Sequence, residues 1–202
     1  MVLAVGFGSA LTAQTVPLIE DLTEVRVEVN GNVISIQRDQ AIASRYSRQA
    51  KLPWNCPPDC IQPLIAAPGV TTIAELETIA FLETMVSTSL GLLIDTRAPG
   101  QFAQGTIPGA VNVPTAALAP GNPYLGEILL ALGAQTQGGA LNFDTALDLT
   151  VFGAGPSSDQ AVRTIDNLLA AGYPASKIRY YRGGMQDWQS QGLSLSVHQN
   201  EG

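Results

Sequence analysis

The stretch LLIDTRAPGQFAQGTIPGAVNVP, residues 92–114, decides the fold. Leu92, Leu93 and Ile94 form an aliphatic run too short for a helix, bounded on its far side by glycines and prolines. That is the signature of a buried strand. Asp95 closes the strand and Arg97 follows two residues later, which suits an ion pair that pins the outgoing loop. Both residues are also candidate pocket groups, although structural pairing is the plainer role. Val111, Asn112 and Val113 read as the next strand, and Tyr124 to Leu132 as a short helix. Residues 133–145, GAQTQGGALNFDT, read as an exposed loop with no assignable chemistry.

The same alternation continues on either side. Upstream, Thr72 to Ser87 carries Ile73, Leu76, Ile79, Ala80 and Leu82 near one helical face, with Thr72 as cap and Glu75 completing a capping box. Downstream, Leu147 to Phe152 is a second buried strand. It leads into the loop Gly153-Ala154-Gly155-Pro156-Ser157-Ser158. Ser157 or Ser158 opens a helix whose core face is Val162, Ile165, Leu168 and Leu169, and Gly172 stops it. Ile178 to Tyr181 is another strand, Arg182-Gly183-Gly184 turns, and Met185 to Gln191 is helical. Strands alternating with helices predict an α/β fold with a parallel sheet covered on both faces. Arg182 stands at a strand's carboxyl end, where open sheets of this kind bind ligands, and is a further pocket candidate.

Two segments resemble the rhodanese-like family. Asp95, Arg97, Phe102, Gly105, Ile107, Pro108, Gly109 and Ala110 match its first signature, with Thr106 where histidine is usual. LTVFGAGPSSDQA through YRGGMQDWQSQG is similar to its active loop and closing signature, at Gly183, Gly184 and Trp188. The resemblance implies a three-layer fold around a central parallel sheet. In active members the loop after the strand carries sulfane sulfur on a cysteine, cradled by inward N–H groups and a helix N-terminus. That cysteine aligns with Gly153.

Sulfur transfer needs a thiolate that attacks, holds a persulfide and leaves. Glycine supplies none of this. Ser157 and Ser158 are far weaker nucleophiles without an adjacent base, and the one histidine, His198, lies beyond the closing signature. The expectation is a module that is not a working sulfurtransferase. A phosphatase-like reaction fails for the same lack of a loop cysteine. Two roles stay open for residues 153–158. One is retained binding of a small anion by backbone N–H groups and the helix dipole. The other is a scaffold that meets a protein partner. A third reading moves sulfur to a relocated thiol, Cys56 or Cys60.

Those two cysteines lie in WNCPPDC, within a connecting segment that holds five prolines between residues 38 and 70. They read as one disulfide or two inert thiols; no metal or other cofactor is expected, since zinc wants four ligands. With this extension, the chain is similar to an exported single-domain subgroup of the family. Before the segment, Val25, Val27 and Val29 alternate up to Asn30-Gly31, and Val33, Ile34 and Ile36 follow, which predicts an N-terminal β-hairpin. Residues 1–19 carry no charge, and MVLAVGFGSALTA reads as a signal-like segment for export, to the periplasm. The expected layout is therefore 1–19 apolar, 20–70 extension and 71–202 domain. A net charge of −7 disfavours nucleic acid, and the apolar run is too short for a stable membrane span.

Overall fold

The computed structural model describes residues 23–29, 32–37 and 60–197. The chain divides into two compact units, Met1–Pro57 and Pro58–Gly202. In the first, β1 (Glu24–Val29) pairs antiparallel with β2 (Asn32–Gln37), with Val29 opposite Asn32. These are the strands of the expected hairpin. The turn residues Asn30 and Gly31 lie outside the described residues, as do the segment 1–19, Cys56 and His198.

The second unit runs β3 (Thr71–Ile73), α1 (Glu75–Phe81), β4 (Gly91–Asp95), α2 (Pro99–Gln104), β5 (Ala110–Asn112) and α3 (Leu125–Ala131). It continues with β6 (Gln135–Gln137), β7 (Ala140–Asn142), β8 (Asp148–Phe152), α4 (Gln160–Ala170), β9 (Ile178–Tyr181) and α5 (Gly184–Ser190). Five strands form one sheet in the order β3-β9-β8-β4-β5, all pairs parallel.

Side chains alternate across each strand, so the sheet feeds two cores. Ile94, Leu149, Val151, Ile178 and Tyr180 pack with Ile165 and Leu168 of α4 on one face. Leu93, Phe152 and Tyr181 pack with Met185 and Trp188 of α5, and with Ile79 of α1, on the other. Helices cover both faces, giving the three-layer α/β architecture.

Three local expectations are corrected. Thr72 does not cap α1, because it pairs with Tyr180 in the edge strand β3 and its hydroxyl donates to the Leu64 carbonyl. The cap passes to Ala74, whose N–H donates to the Glu77 carboxylate at 3.1 Å. Residues 133–145 are not a plain loop. Gly138 and Gly139, at φ +60° and +83°, turn β6 back on β7 as an antiparallel pair. Neither Ser157 nor Ser158 opens α4, which starts at Gln160 after a turn closed by Ser158 N–H on the Gly155 carbonyl at 3.0 Å.

Thr150 lies mid-strand in β8, fully buried at 0% exposure, and its hydroxyl finds no partner among the described residues. An unmet buried hydroxyl costs the protein its desolvation. Thr150→Val keeps the shape and removes that group. It is expected to raise stability by roughly 1 kcal/mol, read as a higher urea midpoint at unchanged slope. A lower midpoint would contradict this assignment.

Candidate functional site

β8 ends where its aliphatic run meets three residues with little or no side chain, Gly153, Ala154 and Gly155. The strand end is tied to β4: the Phe152 carbonyl accepts from the Thr96 N–H at 3.0 Å and from the Thr96 hydroxyl at 2.8 Å. The loop is then held by α5. Met185 N–H donates to the Gly153 carbonyl at 3.1 Å, and Gln186 N–H to the Ala154 carbonyl at 2.9 Å. This contact explains the second glycine of Gly183-Gly184. Gly184 sits at φ +55°, and a Cβ there would lie 2.4 Å from the Gly153 carbonyl oxygen, so no side chain fits.

Gly153, Ala154, Gly155 and Ser158 are buried, while Pro156 and Ser157 are half-buried. The N–H groups of Ala154 and Gly155 meet no acceptor among the described residues. The first turn of the eleven-residue α4 stands behind them. A Cβ built on Gly153 would lie 3.4 Å from the Ala161 nitrogen, from Gln160 Cβ and from Thr96 Oγ1. Around this point the polar groups are hydroxyls and amides. Thr115 donates to the Gln160 carbonyl at 3.0 Å, Thr164 donates to Thr115 at 3.0 Å, and Ser158 donates to Gln160 Oε1 at 3.0 Å.

The expected ion pair at the end of β4 is present and buried. Arg97 Nη2 lies 2.6 Å from Asp95 Oδ2, and the two side chains are 9% and 0% exposed. Arg97 Nε donates to both Asp95 oxygens at 3.0 and 3.1 Å, the Arg97 N–H to Oδ1 at 3.0 Å, and the Thr106 hydroxyl to Oδ2 at 2.7 Å. Arg97 Nη2 also donates to the Gly105 carbonyl at 2.7 Å. Both groups are thus spent on pinning residues 95–106, which favours the structural role over a pocket role. Arg182 differs. Its Nε and Nη2 donate to one backbone carbonyl, that of Gln62, at 3.1 and 2.8 Å, and it makes no ion pair among the described residues.

Sequence reading missed two participants. Thr96 is not singled out, since neither charge nor periodicity marks it. Gln62 lies in the proline-rich stretch, and its N–H donates to the Pro156 carbonyl at 2.8 Å.

A five-stranded parallel sheet thus carries, at the end of β8, a loop seated on the glycine pair of α5. The family model of the rhodanese-like domain matches residues 78–191, more than half of the chain. This chain belongs to the rhodanese-like domain family. No curated protein is similar enough to match it. Among solved structures, a thiosulfate sulfurtransferase from Pseudomonas aeruginosa is 22% identical, with a TM-score of 0.44 over 64% of this chain and 21% of that one. The chain thus spans about a fifth of that enzyme's length. The rhodanese-like domain of an Anabaena protein is 18% identical, TM-score 0.44, over 62% of this chain and 78% of its own. A Bacillus halodurans protein is 10% identical, TM-score 0.48, over 79% and 87%. In this rhodanese-like domain, residues 61–202 contain no cysteine at all.

Two carboxylates of the rhodanese-like domain, Glu75 and Asp187, act on Tyr181. The buried Tyr181 hydroxyl donates to Glu75 Oε1 at 2.9 Å. Burial and that Glu75 carboxylate push the Tyr181 phenol above its ordinary range. Burial also raises the Asp187 carboxyl above its ordinary 3.8, Glu75 raises it further, and Arg182 offsets part of this. A carboxyl raised by folding is destabilising when ionised. The penalty is absent below pH 3.8 and full once pH exceeds the raised folded value. Asp187→Asn is therefore expected to raise the melting temperature at pH 7 by about 1–3 °C. The gain should fade as acidification protonates the wild-type carboxyl. Equal gains at pH 7 and pH 3.5 would show another cause.

Proposed function

We propose that this rhodanese-like domain binds a small oxyanion at loop 153–158 and does not transfer sulfur. One observation carries the reading: the loop presents the unmet N–H groups of Ala154 and Gly155 beside the start of α4, and offers no thiol. Backbone donors at a helix N-terminus bind anions without a cationic side chain. Hydroxyls and amides hold a ligand, and a hydroxyl without an adjacent base is a poor nucleophile. Export to the periplasm belongs to the reading, supported by the uncharged apolar residues 1–13. So does a Cys56–Cys60 disulfide, supported by the even cysteine count.

Amide shifts of the full chain titrated with sodium sulfate test the reading. Saturable shifts at Ala154, Gly155, Ser157 and Ala161 are expected. No shift at these positions up to high millimolar sulfate would overturn it.

A further inference from the structure

The chain before the sheet crosses the loop at a single residue. Gln62 is half-buried, whereas Ile61, Pro63, Leu64 and Ile65 around it are exposed. Its N–H is bonded to the Pro156 carbonyl at 2.8 Å, and its carbonyl receives Arg182 Nε and Nη2 at 3.1 and 2.8 Å. One residue therefore bridges the loop to the guanidinium. Elsewhere in 61–65, Gln62 Nε2 donates to the Cys60 carbonyl at 2.8 Å, and the Leu64 carbonyl accepts from the Thr72 hydroxyl.

The electrostatics of this bridge are lopsided. A guanidinium that forks toward two acceptor oxygens is best matched by a carboxylate or an oxyanion. Here it holds one neutral carbonyl. The buried Arg97, by contrast, has its carboxylate. Asp187 lies close enough to Arg182 for the charges to be felt, yet makes no bridge with it. Arg182 is thus a cation at the loop's edge with a weak, replaceable partner. The segment it holds is tied by few bonds and has little buried surface, which places it at the low-stability end of the domain.

We propose that residues 61–65 are a releasable strap over loop 153–158, and that an oxyanion bound there opens it by taking Arg182 from the Gln62 carbonyl. This rests on the loop's reading as an anion site and adds its regulation. Closure and binding compete for one guanidinium. The observed affinity is then the intrinsic affinity reduced by the fraction of molecules in which the strap is open. Any partner or modification that lifts the strap raises affinity without touching the loop.

The test uses the full chain, sulfate as probe, and hydrogen exchange at the Gln62 amide, whose bond to Pro156 reports closure. Gln62→Pro removes that N–H and loosens the strap while leaving the loop and Arg182 intact. Arg182→Met removes the shared cation. Three results are expected together. Sulfate speeds Gln62 exchange in the wild type, Gln62→Pro binds sulfate several-fold more tightly, and Arg182→Met binds it at least tenfold more weakly. Sulfate binding that leaves Gln62 exchange unchanged or slower, with wild-type affinity in Gln62→Pro, overturns the strap and leaves the anion site standing. No sulfate binding by either wild type or Gln62→Pro overturns the anion site, and the strap's opening by anions with it.

Discussion

Purified protein given thiosulfate and cyanide is expected to form thiocyanate no faster than the uncatalysed background. The reaction needs a thiolate that displaces sulfite from thiosulfate, holds the outer sulfur as a persulfide, and gives it to cyanide. From Phe152 to Asp159 the chain offers glycines, an alanine, a proline and two serines. The nearest hydroxyls are committed as well: Thr96 donates to the Phe152 carbonyl and Ser158 to Gln160. Ser157 makes no hydrogen bond to a base among the described residues, so nothing there raises its nucleophilicity. Gly153→Cys tests whether shape survives where chemistry does not. A Cβ at 153 meets nothing nearer than 3.4 Å, so the first atom of a side chain is in ordinary contact there. Its thiol would stand at the first turn of α4, where an N-terminus lowers thiol pKa. The variant is expected to take up sulfane sulfur above the wild-type level. An inert Gly153→Cys variant would show that the loop has drifted from the shape that sulfur transfer uses.

The largest loss of stability is expected from Asp95→Ala, at about 3–5 kcal/mol. Removing the carboxylate leaves the Arg97 guanidinium buried with only the Gly105 carbonyl, and strips acceptors from the Arg97 N–H and the Thr106 hydroxyl. A buried charge without its partner is far worse than no charge at all. Asp95→Leu combined with Arg97→Met removes both charges and is expected to recover part of the loss. Urea denaturation of the single and double variants decides this. A double variant as unstable as Asp95→Ala would show that shape, rather than an orphaned charge, dominates at this position.

Much of this was legible in the sequence because the deciding signals are short-range. Leu92 to Ile94 and Leu147 to Phe152 are buried strands that no amphipathic helix imitates, and Val162, Ile165, Leu168 and Leu169 mark one face of α4. The Asp95–Arg97 pair is two residues wide, so its geometry follows from the strand end. Where reading failed, a distant contact outweighed a local preference. Thr72 looked like a cap, but pairing with Tyr180 claimed its backbone for β3. The helix Pro99–Gln104 escaped notice because six residues give too little periodicity. The bonds from Arg182 to Gln62 span 120 positions, and nothing in either neighbourhood announces them.

The most direct measurement is the mass of the full-length protein, and of its peptide spanning 148–163, after incubation with thiosulfate. The account predicts that this peptide keeps its unmodified mass. A gain of one sulfur atom on it would contradict the account.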